Sequence, residues 1–168
     1  MRKLVYIHVF RYQLAKGSYI VVSYVNVDSL VFGERSRIGD LNAIRGLALL
    51  RIDDHSTIGN LNWIAGMTLR ALMHFLHSRQ RSPALHMGLH SSITRRHLID
   101  CTDTFSIGSS SAFAGFRSRV LIHSMNILET VQDCKPVTVG DNALVGTAAI
   151  FLPGGSLPSY GVLGASSD

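Results

Sequence analysis

Between Lys135 and Ala165 the apolar positions recur every sixth residue: Val139, Val145, Phe151, Leu157 and Leu163. Two residues before each stands a small or β-branched one: Val137, Ala143, Ala149, Gly155 and Gly161. Six matches neither the helical period near 3.6 nor the strand period of 2. It is the period of a chain that makes a short strand, turns a corner and repeats, a hexapeptide β-helix. Side chains alternate across a strand, so each short strand sends two of them inward. A large aliphatic residue with a small partner fills a narrow prism. One coil cannot bury its own interior, so coils must stack.

The same period is legible upstream. Ile20, Phe32, Ile38, Ile44 and Leu50 share a register in which Asn26 is the polar member, with Tyr24, Leu30 and Ala48 among the partners. The register slips by two before Ile58, which suggests a corner insertion near Asp53–His55; Ile58 and Ile64 resume it. Residues 1–19 carry no such register and read as a lead-in to a β-helix domain over 20–168. Residues 66–84 break the pattern. Leu69, Leu72, Met73 and Leu76 have near-helical spacing, and Pro83 would end a helix there. This arm is read either as a lid reaching a neighbouring subunit's site or as a surface excursion. His74 and His77 are three apart, but no third ligand is spaced to join them, so no metal site is expected. Two columns follow: Met87, Ile93, Ile99, Phe105 and Ser111, then Leu89, Arg95, Cys101, Ile107 and Phe113, with Arg95 expected to point outward. A loop over 124–136 interrupts the last block. About fifteen strands at three per coil predict five or six coils, and the flat faces of such a prism predict a homo-oligomer.

Composition narrows the class. The chain has 168 residues, 46% hydrophobic and 16% charged, as a globular domain does rather than a disordered one. Its mean hydropathy of +0.23 suggests a buried subunit interface. No apolar run is long enough for a membrane helix, and the basic, apolar start lacks a small-residue cleavage site, so no signal peptide is expected. The two cysteines, Cys101 on an inward position and Cys134 in the loop, make no disulfide framework or metal motif. A reduced, cytoplasmic setting is expected. The net charge of +5 suits an anionic partner such as a phosphate-bearing cofactor. The arginines are scattered and carry no nucleic-acid motif, so nucleic acid is not expected as a partner.

Four stretches carry a resemblance: IGNLNWIAG (58–66), HSSITRRHLIDCT (90–102), AGFRSRVLIHS (114–124) and KPVTVGDNALVGTAAIFLPGGSLPSYGVLGAS (135–166). Together the chain resembles the hexapeptide-repeat acyltransferases, within them the acetyltransferases of the sugar and polysaccharide branch, over residues 20 to 167. The resemblance implies a left-handed parallel β-helix; the register alone gives no handedness. It also implies a homotrimer with sites between subunits, acetyl-CoA or another acyl-CoA as donor, and a hydroxyl of a sugar or glycan as acceptor. By this resemblance His123 is the catalytic general base, and Ile122 stands where the family often has threonine. The chemistry is consistent, because an alcohol is a weak nucleophile and an imidazole can take its proton near neutral pH.

The resemblance further places the donor's pantetheine arm along Gly146, Thr147 and Ala148. His97 and Trp63 are candidates for acceptor binding, although a structural hydrogen bond is the favoured role for His97. Asp100 and Asp103 are read as corner caps, with orientation of His123 as the alternative for a neighbouring chain. The repeat runs to Asp168, whereas family members usually continue into a cap, so further chain or another subunit is expected to cover the end. Two other functions remain open. One is a non-catalytic or truncated β-helix scaffold; the other is a γ-carbonic-anhydrase-like metalloenzyme, which His86, His90, His97 and His123 disfavour because no two are five apart.

Overall fold

A computed structural model describes residues 12–68, 75, 78, 80–129 and 131–168. The chain is all-β, a left-handed parallel β-helix with three faces. The first face stacks Gln13–Leu14, Ser29–Phe32, Leu49–Ile52, Ala84–Met87, Thr104–Ile107, Val137–Val139 and Ser156–Leu157. The second stacks Tyr19–Ile20, Arg37–Ile38, Thr57–Ile58, Ser92–Arg95, Ala112–Phe116, Leu144–Val145 and Val162–Leu163. The third stacks Tyr24–Asn26, Ala43–Arg45, Trp63–Ala65, Leu98–Asp100, Arg119–Val120 and Ile150–Phe151. Faces of seven, seven and six strands make nearly seven coils, more than the five or six expected. The ladder also begins before Ile20, since Gln13–Leu14 pairs with Val31–Phe32.

The inward pairs form the core. Val137, Val139, Ala143, Val145, Ala149 and Phe151 are buried, as are Phe32, Ile38, Ile44, Leu50, Ile58, Ile64, Ile93, Ile99, Phe105 and Phe113. Arg95 points outward as expected. Three register assignments change. Leu89 is exposed at a corner rather than inward. Tyr24 and Asn26 face solvent and Val25 takes the inward position. The two-residue slip lies at Gly46–Leu47 rather than at Asp53–His55. Leu50 and Ile52 both face inward on one strand, opposite Leu30 and Phe32 of the coil before. Gly46 is required there: its φ is +73°, and a Cβ would meet the Gly66 carbonyl oxygen at 2.2 Å.

The corners explain how polar residues enter the interior. One corner, between the second and third faces, stacks Ser23, Asn42, Asn62, His97 and Ser118. Each side chain accepts the backbone N–H of the next: Asn42 N–H to Ser23 Oγ at 3.0 Å, Asn62 N–H to Asn42 Oδ1 at 2.9 Å, His97 N–H to Asn62 Oδ1 at 3.0 Å and Ser118 N–H to His97 Nδ1 at 3.2 Å. Buried polar groups are tolerated because each is hydrogen-bonded.

Two insertions leave the coil. Residues 124–136 are a β-hairpin rather than a loop: His123–Asn126 pairs antiparallel with Val131–Cys134. Cys134 is therefore a buried strand residue. The described part of the arm is held at both ends. The Arg81 guanidinium donates to the carbonyls of Met67, Thr68 and Thr102 and lies 4.7 Å over the Phe75 ring; Ser78 donates to Asp133 of the hairpin at 2.6 Å. The helical spacing at Leu69–Leu76 and the pair His74 and His77 lie outside the described residues. Among the described residues, no helix is long and apolar enough to cross a membrane.

Candidate active site

The third face ends, on its fourth strand, at Asp100. The next coil brings Ile122 and His123 round to the same corner. Asp100 is thereby enclosed by donors. Its Oδ2 accepts the backbone N–H groups of Ile122 at 3.0 Å and His123 at 3.1 Å, and the ring Nδ1 of His123 at 2.5 Å. Its Oδ1 accepts the N–H and the hydroxyl of Thr102 at 2.9 and 2.6 Å. With four fixed donors around it, the carboxylate holds one place and one orientation for the imidazole. Because Nδ1 donates to Asp100, Nε2 carries the lone pair. The His123 side chain is 53% exposed, against 13% for Asp100. This geometry suits a base that must meet a ligand. Ile122 is wholly buried and fills the coil interior behind it.

His123 opens on a cavity of about 290 Å³ whose walls are chiefly apolar. Trp63, Met67, Phe75, Leu98 and Ile99 line it, with Asp100, Thr102 and Gln132 as polar members. Trp63 stands on the outer side of the third face, 47% exposed, with the Arg45 guanidinium 5.3 Å over its ring. Phe75 of the arm meets the His123 ring edge-on at 6.3 Å between centroids. The arm thus contributes a wall to the site of its own chain. Trp63 and His123 line the same cavity.

His97 is not. It is 2% exposed and packs on Phe113 at 5.0 Å. Its Nδ1 accepts from Ser118, so Nε2 carries the proton and donates to Thr94 Oγ1 at 3.0 Å. Burial pushes its pKa down to about 4. The candidate role in acceptor binding is corrected: both ring nitrogens are engaged inside the corner, out of reach of the cavity. Asn62 belongs to the same buried column. Asp103 caps a corner by accepting the N–H groups of Ser82 and Thr104. Burial raises the thiol pKa of both Cys101 and Cys134, so neither is poised as a thiolate.

Gly146, Thr147 and Ala148 turn the corner at the opposite edge of the third face from His123. The amides of Gly146 and Ala148 donate to Leu163 O at 2.8 Å and Phe116 O at 3.0 Å. Among the described residues, the N–H and hydroxyl of Thr147 have no hydrogen-bond partner. Within one chain the width of the third face separates this segment from His123. Among the described residues, no group of three His, Cys, Asp or Glu side chains is placed to hold a metal ion. No protein-family model, curated protein or solved structure matches the chain.

Asp100, read from the sequence chiefly as a corner cap, contacts His123 of its own chain. Leu98 pairs with Arg119, so a coil of 21 residues sets Asp100 beside the turn at Ile122, an offset that the six-residue period alone does not show. Phe75, Met67 and Gln132 had no signal, because they come from the insertions.

Proposed function

We propose that this chain is an acyl-CoA-dependent O-acyltransferase of the hexapeptide-repeat family, with a sugar or glycan hydroxyl as acceptor. The observation that carries the reading is the Asp100–His123 pair opening on a cavity walled by Trp63. His123 Nε2 takes the proton of the acceptor hydroxyl while the hydroxyl oxygen bonds to the thioester carbonyl carbon. The tetrahedral intermediate then expels the thiolate, which recovers the proton from the imidazolium, leaving an ester and free coenzyme A. Asp100 sets the tautomer and stabilises the imidazolium between the two steps. The indole face of Trp63 suits the apolar face of a sugar ring.

The donor would lie along Thr147, the residue of the 146–148 corner with free polar groups. Since that corner and His123 sit at opposite edges of one chain, the reading places the donor between subunits of a homotrimer. Exposed apolar residues on the third face (Tyr24, Trp63, Leu98, Ile150) and at the hairpin tip (Ile127, Leu128) support such packing.

The test is thiol release from acetyl-CoA with a panel of carbohydrate acceptors, for wild type and His123→Asn. Loss of about 10²–10⁴-fold in the variant is expected. Acyl transfer that survives the substitution unchanged would remove His123 from the reaction. A second reading, a non-catalytic scaffold, draws on the engaged amides of Gly146 and Ala148; it stands if the folded oligomer neither binds nor consumes acetyl-CoA.

A further inference from the structure

Arginines that look scattered in sequence gather at one corner. Arg96 and Arg117 occupy the same position in consecutive coils, each one residue before a member of the buried polar column. The backbone N–H of Arg117 donates to Arg96 O at 3.1 Å. Arg95 and Phe116 are paired on the adjoining strands. With Asn60 and Leu61, the side chains of Arg95, Arg96 and Phe116 line a second cavity of about 370 Å³. Phe116 is 42% exposed, and the Arg117 guanidinium lies 5.8 Å over its ring.

Two features of this corner oppose folding. Strands in a ladder stand about 4.8 Å apart, and like charges set opposite one another repel. Among the described residues, none of the three guanidiniums has a carboxylate partner; the ion pairs are Arg51–Asp53 and Asp100–His123. Both Arg96 and Arg117 also hold left-handed backbone, at φ of 57° and 63°, as Leu41 and Leu61 do at this corner of earlier coils, and such backbone costs a non-glycine residue energy. An anion between the guanidiniums reverses the first cost. Arginine presents paired donors that match phosphate oxygens, and a neighbouring aromatic ring offers a stacking surface to a base.

We propose that this corner binds the nucleoside diphosphate portion of a nucleotide ligand, with phosphates on Arg95, Arg96 and Arg117 and the base on Phe116. The chemistry fits either the adenosine end of the acyl donor or a nucleotide-linked acceptor. Strands of the third face lead from this corner to the His123 cavity. The four residues from Arg96 to Asp100 span at most about 14 Å, within the length of an extended nucleotide conjugate. The link to the His123 site rests on the acyltransferase reading; the nucleotide site does not.

The experiment is calorimetric titration of the full chain with UDP, ADP and inorganic pyrophosphate. The variants are Arg96→Asn with Arg117→Asn, Arg95→Gln and Phe116→Leu, each checked for fold by circular dichroism. Asparagine tolerates the left-handed backbone, and Arg95→Gln keeps a polar residue on an ordinary strand. Each lost guanidinium is expected to weaken nucleotide binding about tenfold or more. Phe116→Leu is expected to weaken the nucleotides by about 5- to 100-fold and to leave pyrophosphate unchanged. Competition by coenzyme A identifies the donor as the source, and UDP binding indifferent to coenzyme A identifies the acceptor. No nucleotide binding, or binding indifferent to the arginines, overturns the proposal. So does binding in which pyrophosphate matches the nucleotides and Phe116→Leu has no effect. Nucleotide binding without acyl transfer would sink only the enzyme reading; acyl transfer without nucleotide binding would sink only this one.

Discussion

The corners on either side of the third face each carry a histidine, and the fold treats the two in opposite ways. At the first corner, His97 replaces the asparagines of the two coils before it and inherits their task, which is to accept the backbone N–H of the next coil. Its ring is sealed against Phe113 and both nitrogens are engaged. At the far corner, His123 follows the last residues of its strand just where the hairpin leaves the coil. The departing chain leaves the ring in solvent and in reach of one carboxylate. Position relative to the coil, rather than residue type, decides which histidine is structural and which is available for chemistry.

The largest effect that would sharpen this contrast is kinetic. His123→Asn should lower acyl transfer by about 10²–10⁴-fold, equivalent to about 3–5 kcal/mol of barrier, with the unfolding midpoint in urea hardly moved. Asp100→Asn should also lower turnover, by up to about 10⁴-fold, because an amide no longer fixes the tautomer in which Nδ1 carries the proton. His97→Asn should leave turnover within a factor of two or so of wild type, given its enclosure. Loss of turnover in a stably folded His97→Asn would collapse the distinction between the two corners.

Acid should expose the opposite asymmetry. His97 has a pKa of about 4 in the folded chain, below the 6.5 of an unhindered histidine, because burial disfavours the charged ring. Between those values the unfolded chain binds the proton and the folded chain does not. The contribution of neutral His97 is therefore complete above about pH 6.5, is lost as pH falls towards 4, and levels off below. A shift of that size is worth up to about 3 kcal/mol. Urea unfolding at pH 7 and pH 4 measures it, with His97→Asn as the reference that lacks the titrating ring. If both proteins lose the same stability on acidification, the burial of His97 is not what the pH reads.

What could be seen in the sequence follows from which physical rule governs each position. Inward pairs such as Val137 and Val139 obey alternation and stack on copies of themselves, so the six-residue period reveals them. The slip at Gly46–Leu47 was misplaced because Leu50 and Ile52 are both inward, and a count along one column accepts either. Tyr24 looked inward because the second strand position had moved to Val25. The buried Ser–Asn–His column escaped notice for a different reason: it places polar groups inside, which an apolar pattern cannot register. The Asp100–His123 contact joins residues 23 apart and becomes visible only once the coil length is known. The arginine corner is hidden in the same way, since Arg96 and Arg117 meet only through the ladder.

The smallest expected effect tests the column itself. Asn42 and Asn62 show that asparagine satisfies this corner: Oδ1 takes the next N–H, and the amide of Asn62 donates to Thr94 O at 3.1 Å. His97→Asn keeps an acceptor for Ser118 and loses the ring's packing on Phe113 and its hydrogen bond to Thr94, so a destabilisation of about 1 kcal/mol is expected. His97→Ala loses the acceptor as well and strands a buried N–H, which adds about 1–3 kcal/mol. The pair of variants separates the hydrogen bond from the packing, because both remove the ring and only asparagine supplies an acceptor for Ser118. Equal unfolding midpoints for the two would mean that ring packing alone holds this corner. A gap in favour of asparagine would mean that the fold uses histidine here as it uses asparagine two coils earlier, as a backbone acceptor turned inward.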